Sequence, residues 1–261
     1  MRKVGAIIFA AIIFFAAFIF LTPEPEGFPI LEYHRVTNNP EFVDVVYNVT
    51  PDEFSAQLDY LQQNGYTTIT LRDFMRVVHG KGSLPDKPII LTFDDGYEDN
   101  YKEMLPILES HGMTGVVYVV SNFLDTPGYM TIEQAKDLQR RGVEVGSHTA
   151  NHLPLTELSE EKREEEIGAS KLFLEWKGFQ TIYSFSYPNG KYDSDLQKIL
   201  ERNNYLTAVT GEPGLNTTKT NPYLLKRIHI RKPRFGITEF KLRLLKAKIF
   251  AKISALTTGE N

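Results

Sequence analysis

Pro88-Ile89-Ile90-Leu91-Thr92-Phe93-Asp94-Asp95-Gly96 is an apolar run that ends in two carboxylates and a glycine. A short, nearly unbroken apolar run closed by a turn signal reads as a strand buried on both faces, the kind a parallel sheet contains when helices cover it. The two carboxylates then stand at the carboxyl end of that strand, the edge where α/β folds bind ligands. Gly96 permits a backbone turn closed to other residues. Asp94 and Asp95 are neighbours at a strand end and point in different directions, so they can serve two purposes.

Working outward, apolar strand candidates recur near 28–34, 66–70, 114–120, 143–147, 182–187, 206–209 and 224–230, with helical stretches between them. Such alternation predicts an α/β fold with a parallel sheet. Thr50-Pro51-Asp52-Glu53 has the capping-box pattern with proline at the first helical position, opening a helix that runs to about Asn64-Gly65. Thr131-Ile132-Glu133-Gln134 opens another in the same way. About seven or eight βα units in about 210 residues fit one closed or nearly closed barrel better than two domains. No internal repeat or low-complexity tract interrupts them.

A second motif has the same placement as the first. Val143-Glu144-Val145-Gly146-Ser147 reads as a short strand, and His148 and His152 follow it at a spacing of four. In a helical turn that spacing puts both imidazoles on one face. Two histidines so spaced suit a divalent transition metal, and one carboxylate completing the set leaves a coordination position open for water.

Thr92-Phe93-Asp94-Asp95-Gly96 and His148-Thr149-Ala150-Asn151-His152 together resemble the signature of the polysaccharide deacetylases of the NodB-homology type, carbohydrate esterase family 4. The likeness runs from roughly Phe28 to Arg231. It implies a single distorted (β/α)7-type barrel, with Asp94 as general base and Asp95, His148 and His152 as ligands of a divalent ion, Zn²⁺ or alternatively Co²⁺ or Ni²⁺. Ser186-Tyr187-Pro188-Asn189-Gly190 stands where the family has an Arg-x-Pro-aromatic-Gly motif, so Asn189, with Tyr187 beside it, takes the oxyanion and substrate position through its backbone N–H. The family's arginine is replaced by Ser186; Lys191 or Arg227 is left to orient Asp94. Two histidines compete for the role of acid. His34 ends the strand Pro29–His34, which resembles the opening strand of the branch acting on poly-N-acetylglucosamine, and His229 lies in a segment resembling the family's late Leu-x-His motif.

The resemblance implies metal-dependent removal of N-acetyl groups from an N-acetylglucosamine-containing polysaccharide, either an exopolysaccharide or peptidoglycan. An O-acetyl glycan esterase and a non-catalytic glycan-binding relic are the alternatives.

The chain ends bear on location. Met1-Arg2-Lys3 precedes an apolar run from Val4 to Leu21, long enough to span a membrane. The run lacks a small-x-small cleavage site, so residues 1–22 are expected to be a retained signal anchor and single transmembrane helix, with a cleaved signal peptide as the alternative. The basic flank keeps the N-terminus cytoplasmic, and residues 23–27 then tether an extracytoplasmic catalytic domain, residues 28–235, to the cell membrane. The chain has no cysteine, which is compatible with export.

A net charge of −4 hides an asymmetry, since residues 226–252 carry ten basic side chains and one acidic. Residues 236–261 read as a basic amphipathic helix and tail, with Phe240, Leu244, Phe250 and Ile253 among its apolar positions. Such a helix can rest on anionic lipid or pack on the barrel. Nucleic acid is not implied. Ser159–Glu166 reads as the solvated start of a helix. Phe173, Trp176 and Phe179 are expected to pack on the barrel rather than line a sugar groove, and His79 and His111 to sit at helix ends on the surface.

Overall fold

The structure is a computed structural model that describes Phe9, residues 25–39 and residues 45–258. In chain order the strands are β1 (Ile30–Tyr33), β2 (Arg35–Val36), β3 (Asn48–Val49), β4 (Thr67–Thr68), β5 (Pro88–Phe93), β6 (Val116–Val119), β7 (Glu144–Ser147), β8 (Ser184–Ser186), β9 (Thr207–Val209) and β10 (Ile228–His229). The α-helices are α1 (Pro51–Gln63), α2 (Leu71–Val78), α3 (Leu105–Ser110), α4 (Ile132–Arg140), α5 (Glu160–Trp176), α6 (Ser194–Arg202) and α7 (Ile237–Thr258).

The main sheet runs β10-β1-β5-β6-β7-β8-β9, with β4 beside the start of β5, and every pairing in it is parallel. Its two edges are tied. Val209 makes a parallel bridge to Leu225, just before β10, through Thr210 N–H to Leu225 O (2.8 Å) and Leu225 N–H to Ala208 O (3.1 Å). The expected distorted barrel therefore takes the form of a curled parallel sheet whose closure rests on one short bridge.

Side-chain alternation divides the molecule into layers. Leu31, Tyr33, Leu91, Phe93, Val117, Val119, Val145 and Phe185 share one buried cluster with Phe54, Leu58, Leu105, Leu138, Ile167 and Leu196 from the helices. Residues of opposite parity, Ile30, Ile90, Val116, Tyr118, Val209 and Leu225, form a second cluster with Phe28 and, from α2, Leu71, Phe74 and Met75. Moving toward the carboxyl ends in steps of two, this inner layer turns polar: Ile30, Glu32, His34 at β1; Ile90, Thr92, Asp94 at β5; Leu225, Arg227, His229 at β10. The polar functional groups are thereby collected at one end. Gly146 belongs to this layer because a Cβ there would lie 2.5 Å from the Tyr118 ring and 2.6 Å from Ser184 Oγ.

Both expected capping boxes form. Thr50 Oγ1 accepts from Glu53 N–H (3.2 Å) while Glu53 accepts from Thr50 N–H (2.8 Å). Thr131 and Gln134 do the same at 3.1 and 2.8 Å. A third box, Thr70 with Asp73, opens α2.

The terminal helix packs with only part of its apolar surface. Phe240 and Leu244 are buried, and Phe240 meets Tyr60 edge-on at 6.0 Å. Leu242, Leu245, Phe250 and Ile253 are exposed, so the apolar positions expected to share a face are divided between two. Among the described residues no helix is long and apolar enough to cross a membrane. Apart from Phe9, the anchor expected at Val4–Leu21 lies outside the described residues, as do residues 23 and 24 of the tether; its last residue, Gly27, is pressed against Asn216 O. Phe179 is buried and Phe173 partly so, as expected, whereas Trp176 is 78% exposed and does not pack on the barrel. His79 and His111 cap the C-termini of α2 and α3, although His111 is largely covered and lies 3.3 Å from Asp59.

Candidate active site

Asp95, His148 and His152 converge just beyond the carboxyl ends of β5 and β7, each offering a donor atom within 4.8 Å of the other two. Nε2 of His148 and Nε2 of His152 each lie 3.6 Å from Asp95 Oδ1. That is too long for a hydrogen bond and is the separation of donors around one small cation at bond lengths of about 2.1 Å. Nδ1 of His148 is 2.7 Å from Ser186 O, so its proton is directed to that carbonyl and Nε2 keeps its lone pair for a ligand. Burial lowers the pKa of His148 and favours the same neutral form, against the opposing pull of Asp94. The donor set thus fits a divalent ion such as Zn²⁺.

The two histidines do not share a helical turn. Residues 148–154 form a looped bend in which Thr149 (φ 68°) and His152 (φ 58°) occupy the left-handed region. Asp95 (φ 76°) and Asn189 (φ 59°) do so as well, so four of the six described non-glycine residues with positive φ are here. Strained backbone of this kind persists where the surroundings impose it. Part of the imposition comes from Glu166 of α5, whose carboxylate accepts from Asn151 N–H (2.8 Å) and Asn151 Nδ2 (2.6 Å). Glu166 is buried, unlike the exposed start of the acidic run to which it belongs, so the solvated reading of Ser159–Glu166 fails at its last residue.

Beside the ligands, Asp94 is held by a residue from the far end of the chain. Arg227 donates to Asp94 Oδ1 at 2.8 Å, to Thr210 O at 3.0 Å and to Ser186 Oγ at 3.3 Å, and makes a close ion pair with Glu32 at 2.9 Å. Ser186 Oγ in turn donates to Asp94 Oδ2 (3.2 Å). The guanidinium expected at position 186 is therefore supplied from β10's approach, and the small Ser186 side chain leaves room for it. Lys191, the other candidate, is exposed. Burial would raise the pKa of Asp94, but the charge of Arg227, together with its hydrogen bond, holds the carboxyl well below the usual range.

Glu32 was not singled out in the sequence, yet it joins the two halves of this network. It pairs in register with His229 and also with Thr92, and its Oε1 is 2.7 Å from His229 Nδ1. Its one signal was a carboxylate inside an otherwise apolar strand. The other nitrogen of His229 lies 2.9 Å from Gly211 O. Both ring nitrogens face acceptors, and the Glu32 hydrogen bond raises the pKa of His229. Both nitrogens of His229 are thus engaged, in surroundings that favour its protonated form. His34 differs: its donor atom lies within 4.8 Å of those of Glu32 and Asp94, and its Nδ1 is buried with no hydrogen-bond partner among the described residues. Its ring packs on Tyr47 at 4.8 Å.

Asn189 is exposed beside this cluster, on a turn fixed by the close approach of Gly190 to Gly211, where a Cβ on Gly190 would lie 2.4 Å from Gly211 Cα. Tyr187 is not on the substrate side. It is fully buried, its ring meets Phe185 edge-on at 5.5 Å, and its hydroxyl finds no partner among the described residues. Side-chain alternation explains the correction: Ser186 faces the interior of the sheet, so Tyr187 faces the helices.

Comparison with known proteins agrees with this geometry. The family model described as polysaccharide deacetylase matches residues 81–208, which include both motifs. YxkH of Bacillus subtilis (strain 168), named for the polysaccharide deacetylases, is 30% identical over 209 residues, 80% of this chain and 73% of its own. The poly-beta-1,6-N-acetyl-D-glucosamine N-deacetylase of Escherichia coli (strain K12) is 28% identical over 48% of this chain, and the match spans 21% of that larger protein. Among solved structures, the Streptococcus pyogenes deacetylase PplD in complex with acetate has a TM-score of 0.76 at 27% identity, covering 86% of this chain and 99% of its own. IcaB from Ammonifex degensii has a TM-score of 0.71 at 25% identity, covering 79% and 93%. By sequence, by fold and by the motifs that meet at the carboxyl end of its sheet, the chain belongs to the polysaccharide deacetylase family.

Proposed function

We propose that the chain hydrolyses N-acetyl groups from an N-acetylglucosamine-containing polysaccharide in a metal-dependent reaction. The observation that carries the reading is the placement of Asp94, held by Arg227, directly beside the donor triad Asp95, His148 and His152. Relatives named as poly-beta-1,6-N-acetyl-D-glucosamine N-deacetylases support the substrate class.

A divalent cation held by the triad would supply Lewis-acid chemistry, polarising the acyl oxygen and making water a better nucleophile. Arg227 fixes Oδ1 of Asp94 and leaves Oδ2 on the side of His148, whose Nε2 is 4.0 Å away. Oδ2 is the oxygen that takes the proton from the attacking water. The Asn189 backbone N–H supplies a donor for the developing oxyanion, an interaction worth about 3–4 kcal/mol where well placed. His34, with an unpartnered ring nitrogen, gives a proton to the departing amine, while His229 stays charged and orients Glu32 and, through it, Arg227.

The apolar run Val4–Leu21 behind a basic start supports a membrane anchor with the catalytic domain outside the cytoplasm. The test of the reaction is acetate release by the purified full chain in neutral detergent. N-acetylglucosamine oligomers and O-acetylated xylan are compared with chelator and with added Zn²⁺, Co²⁺ or Ni²⁺. Metal-dependent release from the oligomers is the expected result; release from xylan alone would reassign the chain to the esterases.

A further inference from the structure

The catalytic groups use only one end of the sheet. At the other end, where the strands begin, a cavity of about 580 Å³ opens between the start of α2, the approach to β8 and the first residue of β9. That is the size of a small-molecule site. Its floor is apolar, from Leu71 and Met75, and its walls carry Arg72, Arg76 and Lys81. Among the described residues no carboxylate lines it.

Two polar groups in the lining have no partner among the described residues. Thr207 is 1% exposed and its Oγ1 makes no hydrogen bond; Nε of Arg72 is buried in the same condition. Buried donors are rarely left unmade, because forming them against water is always possible in the unfolded chain. Arg72 is nevertheless held in place: Nη1 donates to Gln180 Oε1 at 3.0 Å and the guanidinium lies 5.5 Å from the centre of the Tyr183 ring. The nearest carboxylates are committed elsewhere. Glu144 accepts from Arg72 N–H (2.9 Å) and from Ser184 Oγ (2.6 Å), and Asp73 caps its own helix. A fixed guanidinium with a spare donor, a spare hydroxyl and two further cations at the rim match an oxyanion with several acceptor oxygens.

We propose that this cavity is a second binding site, separate from the catalytic centre, for a phosphate group carried on a body with apolar surface. The same chemistry is found on a soluble phosphorylated molecule and on a lipid headgroup. Calorimetry on the purified full chain in neutral detergent separates the two, with inorganic phosphate, phenyl phosphate and dihexanoyl phosphatidylglycerol as probes. Saturable binding is expected, tighter for phenyl phosphate than for inorganic phosphate and weaker as salt rises. The lipid binding more tightly than phenyl phosphate would assign the site to a headgroup, and the reverse order to a soluble ligand.

Arg76→Gln with Lys81→Gln, both exposed, should weaken binding about tenfold, and Thr207→Val, which keeps the shape and removes the hydroxyl, should weaken it in the same direction. Acetate release by each variant reports that the fold and the distant catalytic centre are intact. No saturable binding of any probe, or unchanged affinity in the rim double variant, would overturn the proposal.

Discussion

Arg227 Nη1 lies 2.8 Å from Asp94 Oδ1, joining residues 133 positions apart inside a fully buried ion pair. The same guanidinium reaches Glu32, Ser186 and Thr210, so one side chain from the approach to β10 does what the family motif assigns to an arginine at position 186. Arg227→Met would strand two buried carboxylates and should cost about 3–5 kcal/mol of unfolding free energy. Arg227→Lys returns the charge without the planar fork and should recover only part of the loss. Urea denaturation of both variants decides this; a wild-type midpoint for Arg227→Met would mean that the pair does not hold the site together.

Asp94→Asn keeps the shape of the side chain and removes its capacity to take a proton. Turnover should fall by about 10²–10⁴, with the metal content of the purified protein unchanged by elemental analysis. His148→Ala should instead lose the metal. Retention of metal in His148→Ala would show that the ion binds elsewhere.

Glu166 touches none of the proposed ligands but fixes the loop between them through Asn151. Glu166→Ala should lower metal affinity by about 10–100-fold, read by competition with a chromophoric chelator. An affinity equal to wild type would reduce Glu166 to an ordinary helix residue.

His34 and His229 are separable by pH. The Glu32 hydrogen bond raises the pKa of His229 in the folded state, so its protonated form favours folding. That contribution is complete below the ordinary histidine range and is lost as the pH rises through the elevated folded value. The stability gap between wild type and His229→Gln should therefore be widest in acid and close on the alkaline side. His34→Gln should leave that stability profile alone and instead slow acetate release by about 10²–10⁴. A gap for His229→Gln that does not vary with pH would contradict a raised pKa for His229.

Tyr187 offers a simpler check. Its buried hydroxyl has no partner, so Tyr187→Phe should leave acetate release unchanged and alter stability by no more than about 1 kcal/mol, in the stabilising direction. A large fall in activity would restore Tyr187 to the substrate side.

Much of the molecule was legible in local pattern. Apolar runs ending in turn signals located the parallel strands, and Thr50 and Thr131 announced their helices, because strand burial and helix capping depend on residues within a few positions of one another. The donors Asp95, His148 and His152 were legible for the same reason, each standing next to the strand that places it. The helical turn expected for His148 and His152 was not found, since spacing alone does not distinguish a helix from a bend held in the left-handed region by Thr149 and a distant glutamate.

Local pattern was enough for the alternation of elements, the end of the sheet at which the motifs gather and the residue types that gather there. Long-range packing is what sets Arg227 and not Lys191 against Asp94, links Arg227 to His229 through Glu32, engages both nitrogens of His229 while His34 keeps one unpartnered among the described residues, and puts Tyr187 in the core. Each of these depends on strand register and on the closing of the sheet between β9 and β10. Those pairings join residues far apart in the chain, and no local pattern records the distance between them.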